Sequence, residues 1–297
     1  MTDDTVKPVK GLVIRTEEEG ALSHYRGLRN QGATCYLNAT LQVLFMTEAF
    51  RERVLLGTPC DTSEILVSAL KELFEELSSQ DGAPQSVSTK GVIKALGIQN
   101  GNVDAHTRDK ASGGIGAGLP LSLAVEAFNA VDAVDALRSI FALCEQQDAV
   151  EHFLEILEKA GPNLAEVFSG TMRNNRVCSE GHTSHDDSSF KSIPIALNAR
   201  DGTSCEIHEH PAVLALHLKR FVYDYRSHMF KKNECPVDVP LRLSLQEHEY
   251  SLYAVINHSG SRHGGHYTAD IRSFTENKWY CFNDSYVRET NERKLKW

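Results

Sequence analysis

The sequence lacks any apolar run approaching the roughly 18 residues a membrane-spanning helix requires. Its opening Met1-Thr2-Asp3-Asp4-Thr5 leads into no apolar stretch, so no secretory signal is expected. Basic side chains are the minority, 31 against 40 acidic, for a formal net charge of -9 with histidine neutral. That balance argues against nucleic acid as the main partner, because phosphate binding needs a basic surface. Cysteine is scarce and unpaired in number: seven residues, at 35, 60, 144, 178, 205, 235 and 281, scattered along the chain. Such scatter suits free thiols in a reducing compartment, the cytoplasm or the nucleus, better than a disulfide framework. There is no H-E-x-x-H pattern, so a metalloprotease built on His258, His263 and His266 has little support. What is present is 297 residues, 41% of them hydrophobic, enough for a buried core in one or two domains.

Residues 1–26 are polar, with the acidic run Glu17-Glu18-Glu19, and read as a loosely packed lead-in. The turn-rich Gly27-Leu28-Arg29-Asn30-Gln31-Gly32-Ala33-Thr34 follows, and then Leu37, Leu41, Leu44 and Phe45 recur at helical spacing, which places Cys35 at a helix entrance. A second helix is predicted over 63–77, with Leu66, Leu70, Leu73 and Leu77 on one stripe. Residues 100–119, with Ser112-Gly113-Gly114-Ile115-Gly116-Ala117-Gly118, have little to bury and read as a flexible insertion. Helical patterning returns from Leu121 through Phe141, and another helix opens at Gln146-Gln147-Asp148 with Phe153, Leu154 and Leu157 inward. From Val167 the period changes, and 192–197, 212–221, 250–257, 267–271 and 279–282 read as strands. Helices first and strands later make an α+β fold.

A thiol at a helix N-terminus gains stabilisation of its thiolate from the dipole and the unpaired backbone N–H groups, so Cys35 is expected to have a lowered pKa. Gly32 allows close approach of the backbone to a substrate carbonyl, and Asn30 can aim its amide at an oxygen that becomes negative during acyl transfer. A lone cysteine at a helix start is ordinarily a small core residue, so the rest of the chain has to supply a base. The strand ending at Asn257 runs into His258-Ser259-Gly260-Ser261-Arg262-His263-Gly264-Gly265-His266, a glycine-rich loop at whose end His266 begins a strand. The midpoint between positions 266 and 283 falls at the edge of the polar turn 275–278, so an antiparallel hairpin brings Asn283 beside His266. One of thirteen histidines flanked by glycine is more often a packing residue, and it is the pairing with Asn283 that gives this one weight.

With these residues in view, the chain resembles the ubiquitin-specific proteases, a class of deubiquitinating cysteine proteases. Residues Gly27 to Asn38 are similar to the family's cysteine box, Gln147-Asp148-Ala149-Val150-Glu151 to its Q-D-A-x-E segment, and Leu216-His217-Leu218-Lys219-Arg220-Phe221 to its L-x-L-K-R-F strand. Tyr253-Ala254-Val255 with Gly264-Gly265-His266-Tyr267, and Trp279 to Asp284, resemble its histidine box. The resemblance implies a catalytic domain over 27–297: a papain-like core with a helical thumb, a β-rich palm, and fingers shortened over about 170–211. It implies Cys35 as nucleophile, His266 as general base, Asn283 as the residue orienting the imidazole and Asn30 as an oxyanion contact. Asp284 is the alternative third residue, since family members place Asn or Asp there and successive strand residues face opposite ways. Gln147 and Asp148 are implied to lie near the arginines of the ubiquitin tail, and Gly264, Gly265 and Tyr267 along a channel for its Gly-Gly end. Read without the family, Asp148 and Glu151 are acidic residues of a helix N-terminal turn.

The implied partners are ubiquitin and ubiquitinated proteins, met by a monomer, with no metal, cofactor, membrane or nucleic acid. The sequence departs from the family pattern in three places. The two C-x-x-C pairs of the family's zinc ribbon are absent, and Cys178, His182, His185, Cys205, His208 and His210 stand in that region. A mixed Cys/His zinc site is chemically conceivable there, and metal-free fingers are the expectation. The insertion at 100–119 is foreign to the pattern, and after Asp284 no apolar terminal strand is expected. Two other readings stay open: a protease for a ubiquitin-like modifier, and a catalytically weakened ubiquitin-binding or scaffold protein.

Overall fold

The buried positions of the first helix come from all sides of its circumference, which is the pattern of a helix enclosed in a core. This helix, α1 (Cys35–Met46), has eleven buried residues, among them Leu37, Leu41 and Leu44 at 0% exposure. Each such leucine stabilises the fold by about 2 kcal/mol. Polar residues inside it reach the backbone and a neighbouring hydroxyl: Thr40 Oγ1 donates to the Tyr36 carbonyl, Gln42 Nε2 to that of Arg26, and Thr47 at its end bonds the Tyr253 hydroxyl at 2.6 Å. The structure, a computed structural model, describes residues 24–57, 64–79, 86–98, 148–177, 183–197, 205–226, 228–261 and 264–291. The lead-in before residue 24, the insertion at 100–119, the patterning from Leu121 to Phe141, and Gln147 lie outside the described residues.

Around α1 stand α2 (Glu48–Leu56), α3 (Glu64–Ser78), α4 (Lys90–Leu96), α5 (Ala149–Ala160) and the short α6 (Pro162–Ala165), which runs into a 3-10 turn. The predicted stripe of α3 is realised, with Leu66, Leu70, Leu73 and Leu77 buried beside Val67 and Phe74. In α5 the inward side is Ala149, Ile156, Leu157 and Ala160. Of the expected trio only Leu157 is fully buried. Leu154 is half-buried, and Phe153 packs from the margin with its ring edge-on to Phe168 at 5.0 Å. Two short parallel strands, β1 (Gly27–Leu28) and β2 (Ser86–Val87), tie the turn before α1 to the segment before α4.

The C-terminal part is β-rich, so the α+β reading holds. Strands β12 (Ala254–Ser261), β13 (Gly264–Arg272), β14 (Trp279–Asn283) and β15 (Tyr286–Thr290) form an antiparallel meander in that order. Its inner face, with Tyr267, Ala269, Ile271, Tyr280, Phe282 and Val287, closes the core against α1. The strands that precede it are β3 (Gly170–Val177), β4 (Thr183–Phe190), β5 (Ile193–Ala196), β6 (Cys205–Glu209), β7 (Leu216–Lys219), β8 (Phe221–Asp224), β9 (Met229–Lys232), β10 (Arg242–Leu245) and β11 (His248–Ser251). Of these, β4, β3 and β6 make a three-stranded antiparallel sheet, β5 pairs in parallel with β7, and β8–β9 and β10–β11 are hairpins.

Several expectations are corrected. The segment between the strands predicted at 192–197 and 212–221 contains a further strand, β6, paired with β3 across a bulge at Thr171/Met172. The strand expected over 212–221 is two, β7 and β8, broken at Arg220, whose backbone N–H turns to the Leu218 carbonyl. The strand expected over 250–257 is split between β11 and β12. A terminal strand exists: Asp284 at φ 48 reverses the chain, and β15 then runs back along β14 from Asn283↔Tyr286 to Trp279↔Thr290. Only Val287 of β15 is buried, because an edge strand needs one apolar side at most and polar residues protect its open side. Among the described residues no helix is long and apolar enough to cross a membrane.

Candidate active site

The loop before α1 is held by side chains rather than by a helix cap, since Thr34 makes no capping bond. Asn30 Oδ1 accepts from the Gly32 N–H at 3.0 Å and the Thr34 N–H at 3.2 Å, wrapping the loop around one amide oxygen. The turn needs positive φ at Gly32 (95°) and Ala33 (47°), and a Gly is the residue that takes the first at no steric cost. Gly27 lies so close to the β14–β15 turn that a Cβ there would sit 2.4 Å from the Ser285 carbonyl. The Leu28 N–H donates to the Asp284 carbonyl at 2.7 Å. The cysteine loop and the end of the histidine hairpin are therefore one packed unit.

Asp284 is the hub of that unit. Its Oδ2 accepts from Asn30 Nδ2 at 2.9 Å and its Oδ1 from Asn38 Nδ2 at 2.7 Å. Asn38, one turn into α1, was not singled out in the sequence; an Asn at 2% exposure among leucines is the signal that marks it. The amide of Asn30 thus spends one of its two hydrogens on Asp284, leaving the other for an incoming oxygen.

Cys35 opens α1 at 5% exposure. Its thiol pKa is raised, and burial is the largest cause, with the Asp284 carboxylate adding to it. The backbone N–H groups of Tyr267, Tyr36 and Cys35 pull the other way. The helix-start donors expected from the sequence are present, but burial outweighs them, so the expectation of a lowered thiol pKa is corrected.

His266 is half-buried, and its Nε2 lies 2.7 Å from Asn283 Oδ1. An amide oxygen only accepts, so Nε2 carries the proton of the neutral ring and Nδ1 is left with its lone pair. The register differs from the one expected. The β13–β14 ladder runs from Ala269↔Phe282 to Arg272↔Trp279, so position 283 stands level with 268 rather than with 266. A slip of two residues keeps both side chains on the same face, and they meet diagonally. The Tyr267 N–H at the Cys35 sulfur brings the residue after His266 to the thiol. Among the described residues the ring's hydrogen bond is to Asn283, and none joins it to Cys35. Such bonds commonly tighten only when substrate docks.

Asp148 caps α5, its Oδ1 accepting from the Val150 N–H at 2.9 Å, which is the structural role expected of it without the family. Its other oxygen is 3.8 Å from His217 Nε2. Tyr267 is buried at 6% exposure. Its phenol pKa is raised, first by burial and then by Asp148, while the Ala149 N–H meets its oxygen. The tyrosine therefore braces β13 against the start of α5. Gly264 and Gly265 are exposed, and a Cβ at Gly264 would meet nothing within 4 Å. In this hairpin Gly260 has a steric reason: at φ 110, a Cβ there would sit 2.6 Å from the Gly264 oxygen. His258, also absent from the expected site, packs against Tyr267 and Phe221; burial first, then the Lys232 ammonium, pushes it down to about 4, so it is neutral at pH 7. No group of three or more His, Cys, Asp or Glu among the described residues is arranged to hold a metal ion. Cys178, His182 and the side chain of Cys205 lie outside the described residues.

A family model described as ubiquitin carboxyl-terminal hydrolase matches residues 26–296. Ubiquitin carboxyl-terminal hydrolase 15 of Schizosaccharomyces pombe is 29% identical over 302 residues, covering 91% of this chain and 25% of that protein. Ubiquitin carboxyl-terminal hydrolase 5 of the same yeast is 28% identical, over 91% of this chain and 26% of its own length. Ubiquitin carboxyl-terminal hydrolase 4 of Arabidopsis thaliana is 26% identical, over 90% of this chain and 86% of its own. The chain thus spans about a quarter of the length of the two yeast relatives.

Proposed function

The chain belongs to the ubiquitin carboxyl-terminal hydrolase family, and from that premise we propose that it is a cysteine-type deubiquitinase working through Cys35, His266 and Asn283. The observation that carries the reading is the 2.7 Å contact of His266 Nε2 with Asn283 Oδ1, which leaves Nδ1 free to act as base. In the proposed reaction His266 Nδ1 takes the Cys35 proton and the thiolate attacks the carbonyl carbon of ubiquitin's last glycine. The remaining Asn30 amide hydrogen and the backbone N–H of Cys35 stabilise the oxyanion. The imidazolium gives its proton to the departing lysine amine as the C–N bond breaks. Water, deprotonated by His266, then hydrolyses the thioester and restores the thiol.

Asn283 is preferred over Asp284 as the third residue because both oxygens of Asp284 are already held by Asn30 and Asn38. Asp148, with Gln147 beside it in sequence, meets the arginines of the ubiquitin tail, and Gly264 and Gly265 border the path of its Gly-Gly end. The helices are the thumb and the C-terminal strands the palm of a papain-like core, with β3, β4 and β6 as shortened fingers. The enzyme acts as a monomer on ubiquitin and ubiquitinated proteins in the cytoplasm or nucleus, without metal or cofactor.

A second reading, a catalytically weakened ubiquitin-binding module, has one observation in its favour: the raised thiol pKa of Cys35. Hydrolysis of a lysine-linked ubiquitin conjugate separates the two. Turnover by the chain and none by Cys35→Ala is expected, whereas binding of the conjugate without cleavage would establish the second reading. A ubiquitin-like modifier conjugate assayed in parallel decides between modifiers.

A further inference from the structure

Strand β12 is the edge of the four-stranded sheet, so every second carbonyl along it faces away from β13. Two of these, at His258 and Gly260, are taken by a single ammonium: Lys232 Nζ donates to the first at 2.9 Å and to the second at 3.2 Å. Between them lies Ser259, the residue paired with His266 in the β12–β13 ladder. The lysine therefore grips the sheet edge at the level of His266.

The anchor from which Lys232 reaches is firm. It pairs with Phe221 across the β8–β9 hairpin, the Asn233 N–H donates to the Arg220 carbonyl at 2.6 Å, and Arg220 Nη1 donates to the carbonyls of Asn233 and Cys235 at 3.1 and 2.9 Å. The Phe221 ring stands edge-on to that of His258 at 5.4 Å. The gripped end, by contrast, is built of Ser259, Gly260, Ser261, Gly264 and Gly265, all exposed. It has no apolar side chains to hold it.

We infer that Lys232 is a positioning residue for the reaction: by tying the His258 and Gly260 carbonyls to the β8–β9 hairpin, it holds the end of β12–β13 so that His266 stays aligned with Cys35. The inference rests on the deubiquitinase reading of that pair. Lys231, next in the same strand, bonds Asp224 instead and serves as the control.

The test is steady-state hydrolysis of ubiquitin bearing a fluorogenic C-terminal amide. Lys232→Met keeps the aliphatic stem and removes the donor. It is expected to lower kcat roughly tenfold or more with KM within about twofold, because misplacing a catalytic group by a fraction of an ångström acts on the reacting geometry rather than on substrate binding. Lys232→Arg restores both donors and is expected to recover most of kcat, and Lys231→Met to keep it. Hydrogen exchange of the amides at 259–261, 264 and 265 is expected to quicken in Lys232→Met and return in Lys232→Arg. Wild-type kcat in Lys232→Met, or a rise in KM with unchanged kcat, would overturn the inference, as would failure of arginine to rescue a folded protein. If Lys232→Met does not fold, Lys232→Gln takes its place; an intermediate kcat is expected, and a full one overturns the inference. A wild-type chain that hydrolyses nothing would instead remove the deubiquitinase reading on which this rests.

Discussion

At the residue scale the site turns on two neighbours with different duties. Asn283 faces His266 across the β13–β14 diagonal, while Asp284, one residue on and in a left-handed turn, faces Asn30 and Asn38. Asn283→Ala is expected to lower kcat about a hundredfold or more, since loss of the orienting group frees the wrong tautomer and rotation of the ring. Full turnover in Asn283→Ala with a dead Asp284→Ala would exchange the two assignments. Asp284 also raises the Cys35 pKa through its charge. Removing that charge with Asp284→Asn favours the thiolate, so the pH midpoint for alkylation of Cys35 by iodoacetamide moves down. A midpoint that stays or moves up contradicts the electrostatic role. The place of Cys35 at a helix start and the meeting of His266 with Asn283 were legible in the sequence because short local patterns carry them. The direction of the Cys35 pKa was not, because it depends on how deeply distant strands bury the thiol. Lys232 was equally hidden, since a lysine in a polar run looks like any solvated charge.

At the element scale, what fixes the site is the attachment of α1 at both ends: Asn38 and the Cys35 loop to the β14–β15 turn, Thr47 to Tyr253 before β12. Burial pushes the Tyr253 phenol up to about 12, so this tether stays uncharged throughout the physiological range. α5, which presents Asp148, is fastened by Glu155 and Lys159: Lys159 Nζ donates to the Leu96 carbonyl at 2.7 Å, and Glu155 meets His152 at 3.0 Å and Lys159 at 2.7 Å. His152 first, then Lys159, holds the Glu155 carboxyl down at about 2. A carboxylate with a depressed folded pKa contributes stability that is present above its unfolded value near 4.3 and lost as pH falls through the folded one. Glu155→Gln is expected to lower Tm at pH 7, with the gap to wild type closing between about pH 4 and pH 2. A gap independent of pH in that window would show that the carboxylate's charge is not what matters. The strongly periodic helices were readable in advance. β6 and β15 were not, because polar strands carry no apolar alternation, and the two-residue slip in the β13–β14 register came from a turn longer than its polar core.

On the scale of the whole molecule, the helical core and the C-terminal sheet meet along one seam, and Cys35, Asn30, His266, Asn283 and Asp284 all lie on it. The acidic composition, the absent disulfide pattern and the absent membrane run narrowed the class of protein without locating this seam; the pairing of residue 35 with the end of a hairpin more than two hundred positions later located it. The proposed reaction puts the substrate acyl group on this seam. The most direct test is to offer the folded chain ubiquitin carrying a C-terminal electrophile and to map the product by intact mass and peptide analysis. A covalent adduct on Cys35, lost in Cys35→Ala, is the predicted result. A folded chain that forms no adduct, or an adduct that survives Cys35→Ala, would contradict the account.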